Sequence, residues 1–289
     1  MQTVPIDDID DPRIEPYRAI RERDVAGRED GFILEGEVVL RAFAKAGRYG
    51  LVSVLLAQKR VEKLAPVVAM LPAAPVYVAP QGVLDAIVGF PIHRGVLALG
   101  RRAEPVSAEA LIGGMGADAL VMVLMGVSNH DNIGGLFRNA AAFGVDAVLL
   151  DGACCDPLYR KAIRVSVGGA LMVPFARLAP DEDVVGLLLG AGFGCLALSP
   201  GGSVALGDVR RSGRTALLLG AEGAGLPDTI LARTETVSIP MSGVFDSLNV
   251  ATASGIALHH LRGGVLSERE RRQGLPSPLA GEGVGAADG

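Results

Sequence analysis

The second half of the chain alternates apolar runs with segments of helical periodicity. Residues 119–127, ALVMVLMGV, are apolar throughout, which is typical of a strand buried on both faces, and residues 133–145 repeat apolar side chains at helical spacing. Further strands are predicted at 147–151, 171–178, 195–199, 215–220 and 236–241. Because helical segments separate most of these runs, the pattern predicts an α/β fold with a parallel sheet and helices on both faces.

The first third of the chain has shorter elements. Residues 31–47 predict a strand that leads into a helix, residues 51–57 and 74–79 predict strands, and residues 58–71 predict a helix. Residues 101–118 then combine charged side chains with Pro and Gly, which is the composition of a linker with room for one helical turn. A compact α/β unit therefore precedes the longer alternating segment.

Composition and these pattern changes divide the chain. At 49% hydrophobic and 20% charged residues, the 289-residue chain is globular and long enough for two ordinary domains. The last residues are rich in Gly, Pro and Ala without periodicity, which predicts disorder. We predict an N-terminal domain at 1–105 that begins with an acidic arm at 1–11, a linker at 106–117, a second domain at 118–266 and a disordered tail at 267–289.

The net charge of −5 is unevenly distributed. Residues 12–105 hold 14 Lys and Arg against 10 Asp and Glu, whereas residues 118–266 hold 10 against 13. The negative net charge of the whole chain disfavours a nucleic-acid partner. The excess of basic residues in the first domain nevertheless allows that domain to attract one.

Several classes of protein are disfavoured. No apolar run approaches the ~18 residues of a membrane span, and the chain starts with acidic residues where a signal peptide would be basic, so we expect a cytoplasmic protein without membrane contact. Cys154, Cys155 and Cys195 form no CxxC pair and have no His nearby, so we expect neither a metal site nor a disulfide framework.

The loop between the first buried strand and its helix carries polar side chains. Ligands of parallel sheets bind beyond the carboxyl ends of the strands, which places Asn129, Asn132 and Arg138 near a candidate site. We predict that Asn132 caps the helix. Arg138 lies in an apolar segment, so its guanidinium needs a partner, which is either an acidic side chain in a structural ion pair or a ligand.

A second strand-end loop, 218–227, is rich in glycine. Gly220, Gly223 and Gly225 let the backbone adopt positive φ and approach a ligand, and Glu222 is a carboxylate among small residues. The spacing is G-x-x-G-x-G rather than the G-x-G-x-x-G of a dinucleotide fold, which disfavours a nucleotide-dependent oxidoreductase. Taken alone, the loop is more consistent with a plain tight turn than with a ligand site.

A third loop precedes the last predicted helix. Ser247, Leu248 and Asn249 place two uncharged polar side chains around an apolar one at the start of a helix of small residues. No nucleophile–base pair and no metal ligands accompany the three loops, so the residues suit ligand positioning and group transfer better than hydrolysis.

The three loops together resemble the motifs of a known family. NIGGLFRNA at 132–140, LLGAEGAGLP at 218–227 and IPMSGVFDSLNVATASGIAL at 239–258 are similar to the successive motifs of the SpoU (TrmH-like) ribose 2′-O-methyltransferases of the SPOUT class. FILEGEVVLRAFA at 32–44 and HRGVLAL at 93–99 resemble, more loosely, the substrate-binding domain that often precedes this catalytic domain and shares a fold with ribosomal RNA-binding proteins. The resemblance implies that the second domain contains a deep trefoil knot.

The resemblance also implies a cofactor and a set of site residues. S-adenosylmethionine is held in the knot, in a pocket that corresponds here to Leu219, Gly220, Ile239, Met241, Leu248 and Asn249. The implied catalytic residues are Arg138, Asn132, Glu222, Ser247 and Asn249. Arg138 matches the arginine that acts on the ribose 2′-hydroxyl, but a guanidinium is a poor proton acceptor, so it is either the base or a group that orients the ribose, with Glu222 as the competing base.

The implied activity is transfer of a methyl group to a ribose 2′-hydroxyl of ribosomal or transfer RNA. The family implies a homodimer formed through the second domain, with RNA as the other partner. A non-catalytic RNA-binding or assembly factor that retains the knotted fold is the alternative, and the presence of Arg138, Glu222 and Asn249 speaks against it.

Overall fold

The computed structural model describes residues 2–18, 31–89, 92, 94–211, 213–243 and 247–263. The tail predicted at 267–289 and His93 of the HRGVLAL segment lie outside the described residues. Within the described residues the chain forms two sheets, one on each side of residues 102–119.

The first sheet has five strands in the order β1-β4-β3-β5-β2. Its elements are β1 (Val4–Pro5), β2 (Gly31–Glu35), α1 (Glu37–Ala46), β3 (Gly50–Ala57), α2 (Val61–Val68), β4 (Val76–Ala79), α3 (Gln81–Val88) and β5 (Val96–Arg101). Strand β5 runs antiparallel to β2 and β3, and the other pairs are parallel. The predicted strand and helix at 31–47 are confirmed as β2 and α1, whereas α3 and the two-residue β1 were not predicted.

The second sheet has seven parallel strands in the order β10-β12-β9-β11-β6-β7-β8. Its elements are α4 (Ala108–Gly113), β6 (Leu120–Leu124), α5 (His130–Ala142), β7 (Ala147–Leu150), α6 (Arg160–Val165), α7 (Gly169–Met172), β8 (Phe175–Arg177), α8 (Val184–Gly190), β9 (Gly194–Leu198), β10 (Val204–Ala205), β11 (Thr215–Leu219), α9 (Asp228–Leu231), β12 (Glu235–Ser238) and α10 (Val250–Gly263). Strands β6, β7 and β11 are buried at every position, as expected of strands covered by helices on both faces.

One predicted strand is shorter than expected. The prediction covered 171–178, but Leu171 and Met172 belong to α7, and β8 begins only at Phe175. Leu171 is buried in an apolar cluster with Phe32 and Val39 of the first unit, so a contact distant in sequence decides the local structure. The local hydrophobic pattern of the sequence does not predict helix α7.

The two units share a packed junction. Leu158, Ile163 and Leu171 of the second unit are buried in the same cluster as side chains of β2, α1 and β3. Helix α4, inside the predicted linker, packs Ala108 and Ile112 into the core of the second sheet. Along the described residues, no helix combines the length and apolar character that a bilayer crossing requires.

Candidate active site

A cleft opens at the carboxyl ends of β9, β11 and β12. It has a volume of about 420 Å³. Its walls come from the loops that follow these strands and from the first turn of α10, with Leu198, Ser199, Pro200, Leu219, Gly220, Ala221, Glu222, Gly223, Gly225, Ile239, Met241, Ser247, Leu248, Asn249, Val250 and Ala253. Strand ends of one parallel sheet meet at the same edge, which is why loops distant in sequence form one cleft.

The loop after β11 needs its glycines for two different reasons. Gly223 and Gly225 have φ of 84° and 69°, as predicted for this glycine-rich loop. Gly220 does not have a positive φ, so that part of the prediction is wrong. A Cβ atom at Gly220 would instead overlap the backbone carbonyl of Gly225, because the N–H of Gly225 donates to the carbonyl of Ala221 at 3.0 Å and folds the loop back.

The start of α5 corrects the capping prediction. The cap is Asn129, whose Oδ1 accepts a hydrogen bond from the N–H of Asp131 at 2.8 Å. Asn132 lies inside the helix, is buried, and accepts a hydrogen bond on Oδ1 from Nδ2 of Asn249 at 2.9 Å. Asn132 therefore faces the third loop rather than the end of its own helix.

Asn249 both caps α10 and joins the other two loops. Its Oδ1 accepts hydrogen bonds from the N–H groups of Ala251 and Thr252, at 2.9 Å and 3.3 Å. Its Nδ2 donates to Oδ1 of Asn132 and, at 2.7 Å, to Oε1 of Glu222. One amide side chain thus fixes a residue from each of the other two loops, and we call Asn132, Glu222 and Asn249 the polar triad.

Helix α10 is held close to α5 by small and polar residues. Asn139 Nδ2 donates to the carbonyl of Ala251 at 2.6 Å and to Oγ of Ser254 at 2.9 Å. A Cβ atom at Gly135 would lie 2.7 Å from Cβ of Ala251. The small residues of α10 therefore permit close packing on the helix that carries Asn132.

The loop after β7 braces the loop after β6. The carboxylate of Asp151 accepts hydrogen bonds from the N–H groups of Gly126 and Cys154, at 2.8 Å and 2.9 Å. The Cys154 thiol donates to the carbonyl of Leu124 at 3.3 Å, and burial raises the pKa of this thiol to about 12. Cys154 consequently stays a neutral thiol at physiological pH and supports the loop rather than acting as a nucleophile.

The opposite wall of the cleft is apolar. Met241 and Leu248 line it with 38% and 39% of their surface exposed, beside Leu219 and Ile239. Among the described lining residues, Glu222 is the acidic one. An apolar wall with one carboxylate at its edge fits the aromatic base and the positively charged sulfonium of S-adenosylmethionine, so the residues present suit this cofactor.

Arg138 lies apart from this cleft. It follows Asn132 on α5 by six residues, which corresponds to about 9 Å along the helix and about 120° around it. The side chain is exposed, it does not line the cleft, and it makes no ion pair with any described residue. The structural ion pair considered for Arg138 is therefore not found in the described part of the chain.

Sequence reasoning missed some of the supporting residues. Asn139 and Asp151 were not identified, and their roles depend on contacts between segments that no local pattern reveals. Ser199 and Pro200, which line the cleft, could have been found, since Ser199 ends a predicted strand and PGG at 200–202 directly follows it. Within the described residues no cluster of three or more potential metal ligands occurs.

Comparison with known proteins assigns the family. Residues 119–259 match the SpoU rRNA Methylase family. An uncharacterized tRNA/rRNA methyltransferase of Mycobacterium tuberculosis is 40% identical over 263 residues, which cover 87% of this chain and 89% of the relative. The chain belongs to the SpoU family of RNA 2′-O-methyltransferases.

Two further relatives of this SpoU enzyme agree with that assignment. A 23S rRNA (guanosine-2′-O-)-methyltransferase of Burkholderia is 33% identical over 177 residues, covering 61% of this chain and 72% of the relative. The crystal structure of an S-adenosylmethionine-bound rRNA methyltransferase from Sinorhizobium meliloti superimposes with a TM-score of 0.77 at 25% identity, and covers 92% of this chain and all of the other. The predicted α/β fold with a parallel sheet and the predicted dependence on S-adenosylmethionine are confirmed.

Proposed function

We propose that this enzyme methylates a ribose 2′-hydroxyl of large-subunit ribosomal RNA. The observation that carries the proposal is the polar triad, which joins the three motif loops at the edge of an apolar cleft of about 420 Å³. Relatives named as 23S rRNA and rRNA methyltransferases support ribosomal RNA as the substrate.

The cleft holds S-adenosylmethionine in this proposal. Leu219, Gly220, Ile239, Met241 and Leu248 contact its apolar part, and burial of the exposed side chains at 241 and 248 favours binding. Ser247 and Asn249 lie at the edge of the pocket. The bound cofactor supplies an electrophilic methyl group.

Arg138 and Glu222 have different roles at the ribose in this proposal. We assign Arg138 to hydrogen bonding and alignment of the ribose or its phosphate, because a guanidinium stays protonated at physiological pH and is a poor base. We assign Glu222 to accepting the proton that leaves the 2′-hydroxyl as the oxygen gains the methyl group. Asn249 orients this carboxylate by its 2.7 Å hydrogen bond, and Asn132 fixes Asn249 in turn.

The proposal includes a homodimer. Within one chain Arg138 is exposed and separate from the polar triad, and Ile256 on α10 is 41% exposed. A two-fold contact that covers α5 and α10 would bury Ile256 and bring the Arg138 of one copy toward the triad of the other.

We also propose that the second unit is knotted and that residues 1–105 bind RNA. Strand β12 is separated from β6 by β9 and β11, yet the chain that follows β12 reaches α5, which follows β6. A Cβ atom at Gly202 or Gly220 would overlap a neighbouring backbone segment, which supports a chain threaded at close quarters. The basic excess of residues 12–105 supports the RNA-binding role.

Variants of Arg138 and Glu222 test the site. Arg138→Ala should lower the single-turnover methylation rate by on the order of 10²-fold and leave the Kd for S-adenosylmethionine nearly unchanged, because the residue does not line the cleft. Arg138→Lys should rescue little, since it keeps the charge but loses the planar fork. Glu222→Gln can still accept from Asn249 but cannot take a proton, so it should lose rate and keep cofactor binding, whereas Glu222→Ala should lose both.

The matched control is Arg101→Ala, which removes an exposed arginine at the end of β5 in the first unit. Its methylation rate should fall far less than that of Arg138→Ala. Normal turnover in Arg138→Ala would remove this residue from the mechanism, and normal turnover in Glu222→Gln would exclude the carboxylate as the base.

A further inference from the structure

Three arginines converge on one glutamate where the two units meet. Arg160 Nη1 and Arg164 Nη1 on α6 lie 2.5 Å and 3.6 Å from Oε2 of Glu35, the last residue of β2. Arg94 Nη1 donates to the backbone carbonyl of Glu35 at 3.5 Å. We call these four residues the junction cluster.

The members of the junction cluster differ in burial. The side chains of Glu35 and Arg160 are 8% and 10% exposed, which makes their ion pair part of the packed junction. The Arg164 side chain is 37% exposed, Arg94 is exposed, and both make only long contacts with Glu35. Among the described residues, the three guanidiniums and one carboxylate of the cluster carry a formal charge of +2, and the guanidiniums of Arg94 and Arg164 are accessible to an anion.

Glycine packing holds the stem of Arg94 in place. Gly36 has a φ of 95°, and a Cβ atom there would lie 2.8 Å from Cδ of Arg94. The stem of Arg94 is therefore packed against glycine backbone, which reduces the conformational entropy that its binding of an anion would cost.

Helix α6 connects the junction cluster with the face of α5 that carries Arg138. Lys161 forms an ion pair with Asp131 at 2.9 Å, and a Cβ atom at Gly134 would lie 2.6 Å from Cβ of Val165. Asp131, Gly134 and Arg138 are spaced three and four residues apart, so they lie on one face of α5. Arg160 and Arg164 thus lie on the helix that packs against the face of α5 that carries Arg138.

We propose that Arg94 and Arg164 bind backbone phosphates of the RNA substrate and hold the strand across both units toward Arg138. Guanidinium forks match phosphate oxygens in charge and geometry, and the two residues belong to different units, so one strand would contact both. The proposal rests on the proposed function, because it assumes that the ligand at Arg138 is RNA.

Salt-dependent binding of a fluorescein-labelled RNA hairpin of mixed sequence tests the phosphate contacts. Fluorescence anisotropy is measured over a series of KCl concentrations for the full-length protein and for Arg94→Gln, Arg164→Gln and the double variant. Each substitution should weaken binding roughly fivefold at moderate salt, and the double variant should lower the magnitude of the slope of log K against log[KCl] by about 1.5. The melting temperature should hardly change, since neither arginine belongs to the buried pair.

Arg233→Gln is the matched control, since Arg233 is exposed, pairs with Asp183 and precedes β12 at the edge of the second sheet opposite the cleft, outside the proposed RNA-binding unit. Its slope should equal that of the wild type. An unchanged slope in the double variant, while wild-type protein binds S-adenosylmethionine and methylates RNA, would overturn this inference and leave the proposed function standing. Absence of cofactor binding by the wild type would instead overturn the proposed function. If inorganic phosphate competed for the site as strongly as unlabelled RNA at matched ionic strength, the site would be one for free anions, and the assignment to RNA would be contradicted.

Discussion

At the residue scale, Asn249 explains why an uncharged polar side chain stands at the start of the last helix. It caps α10 through Oδ1 and holds Asn132 and Glu222 through Nδ2. Asn132, Glu222 and Asn249 could be identified as candidate site residues from the sequence, because the motifs that contain them resemble those of the family. Their mutual hydrogen bonds could not, because Asn132 and Asn249 are 117 positions apart and Asn132 was expected to cap its own helix.

Two substitutions at Asn249 separate the cap from the site. Asn249→Asp keeps an acceptor for the N–H groups of the first turn, so stability should stay close to that of the wild type. It loses the donor to Asn132 and Glu222 and adds a carboxylate beside Glu222, so the methylation rate should fall by on the order of 10²-fold. Asn249→Ala should lose the rate and also about 1 kcal/mol of unfolding free energy.

Urea unfolding and single-turnover methylation measure the two effects. Thr252→Ala is the control, because its side chain is exposed in the first turn of the same helix. A normal rate in Asn249→Asp would show that Asn249 serves only as a cap.

At the element scale, strands were predicted well where both faces are buried and poorly where the two units meet. Continuous apolar runs identified β6, β7 and β11, since burial on both faces leaves no polar position. Helix α7 was missed because its position depends on the junction, where a Cβ atom at Gly168 would overlap Cβ of Ala42 in α1. A contact between units has no periodicity that a local pattern can show.

The loop after β11 offers a prediction about its glycines. Gly220→Ala would drive a Cβ atom into the carbonyl of Gly225, so the loop must move, and the Kd for S-adenosylmethionine should rise by at least about tenfold. Gly192→Asn is the control and should bind nearly as the wild type, because Gly192 lies outside the cleft, Asn tolerates its φ of 80° and nothing lies within 4 Å of a Cβ atom there. Isothermal titration calorimetry measures the Kd for S-adenosylmethionine of both variants. Equal values would show that the loop does not form the pocket.

At the scale of the whole molecule, two sheets and their order along the chain could be predicted, but the packed junction could not. The boundaries at 105 and 118 stay predictions, and Leu158, Ile163 and Leu171 show that the second unit relies on the first for burial. A fragment of residues 118–266 would expose these three side chains. The full chain is therefore the better material for cofactor and RNA binding.

The proposed dimer gives a prediction at this scale. Ile256→Asp places a charge on an exposed position of α10, so it should leave the folded chain intact and convert the dimer to a monomer in light scattering. The methylation rate should fall with the dimer, because Arg138 of one copy would no longer reach the triad of the other. Leu189→Asp is the control, because Leu189 is 51% exposed on α8, which packs into a different core cluster from α5 and α10. A wild-type monomer at micromolar concentration, or full activity of monomeric Ile256→Asp, would contradict the shared site.

We propose that this chain transfers a methyl group to a ribose oxygen of ribosomal RNA. The most direct measurement incubates the protein with deproteinised ribosomal RNA and S-adenosylmethionine that carries a trideuteromethyl group, digests the RNA to nucleosides and analyses them by mass spectrometry. We predict that the label appears on the ribose of a nucleoside from the large-subunit RNA, and that Arg138→Ala abolishes most of it. Label on a base, or label only when transfer RNA replaces ribosomal RNA, would contradict the account.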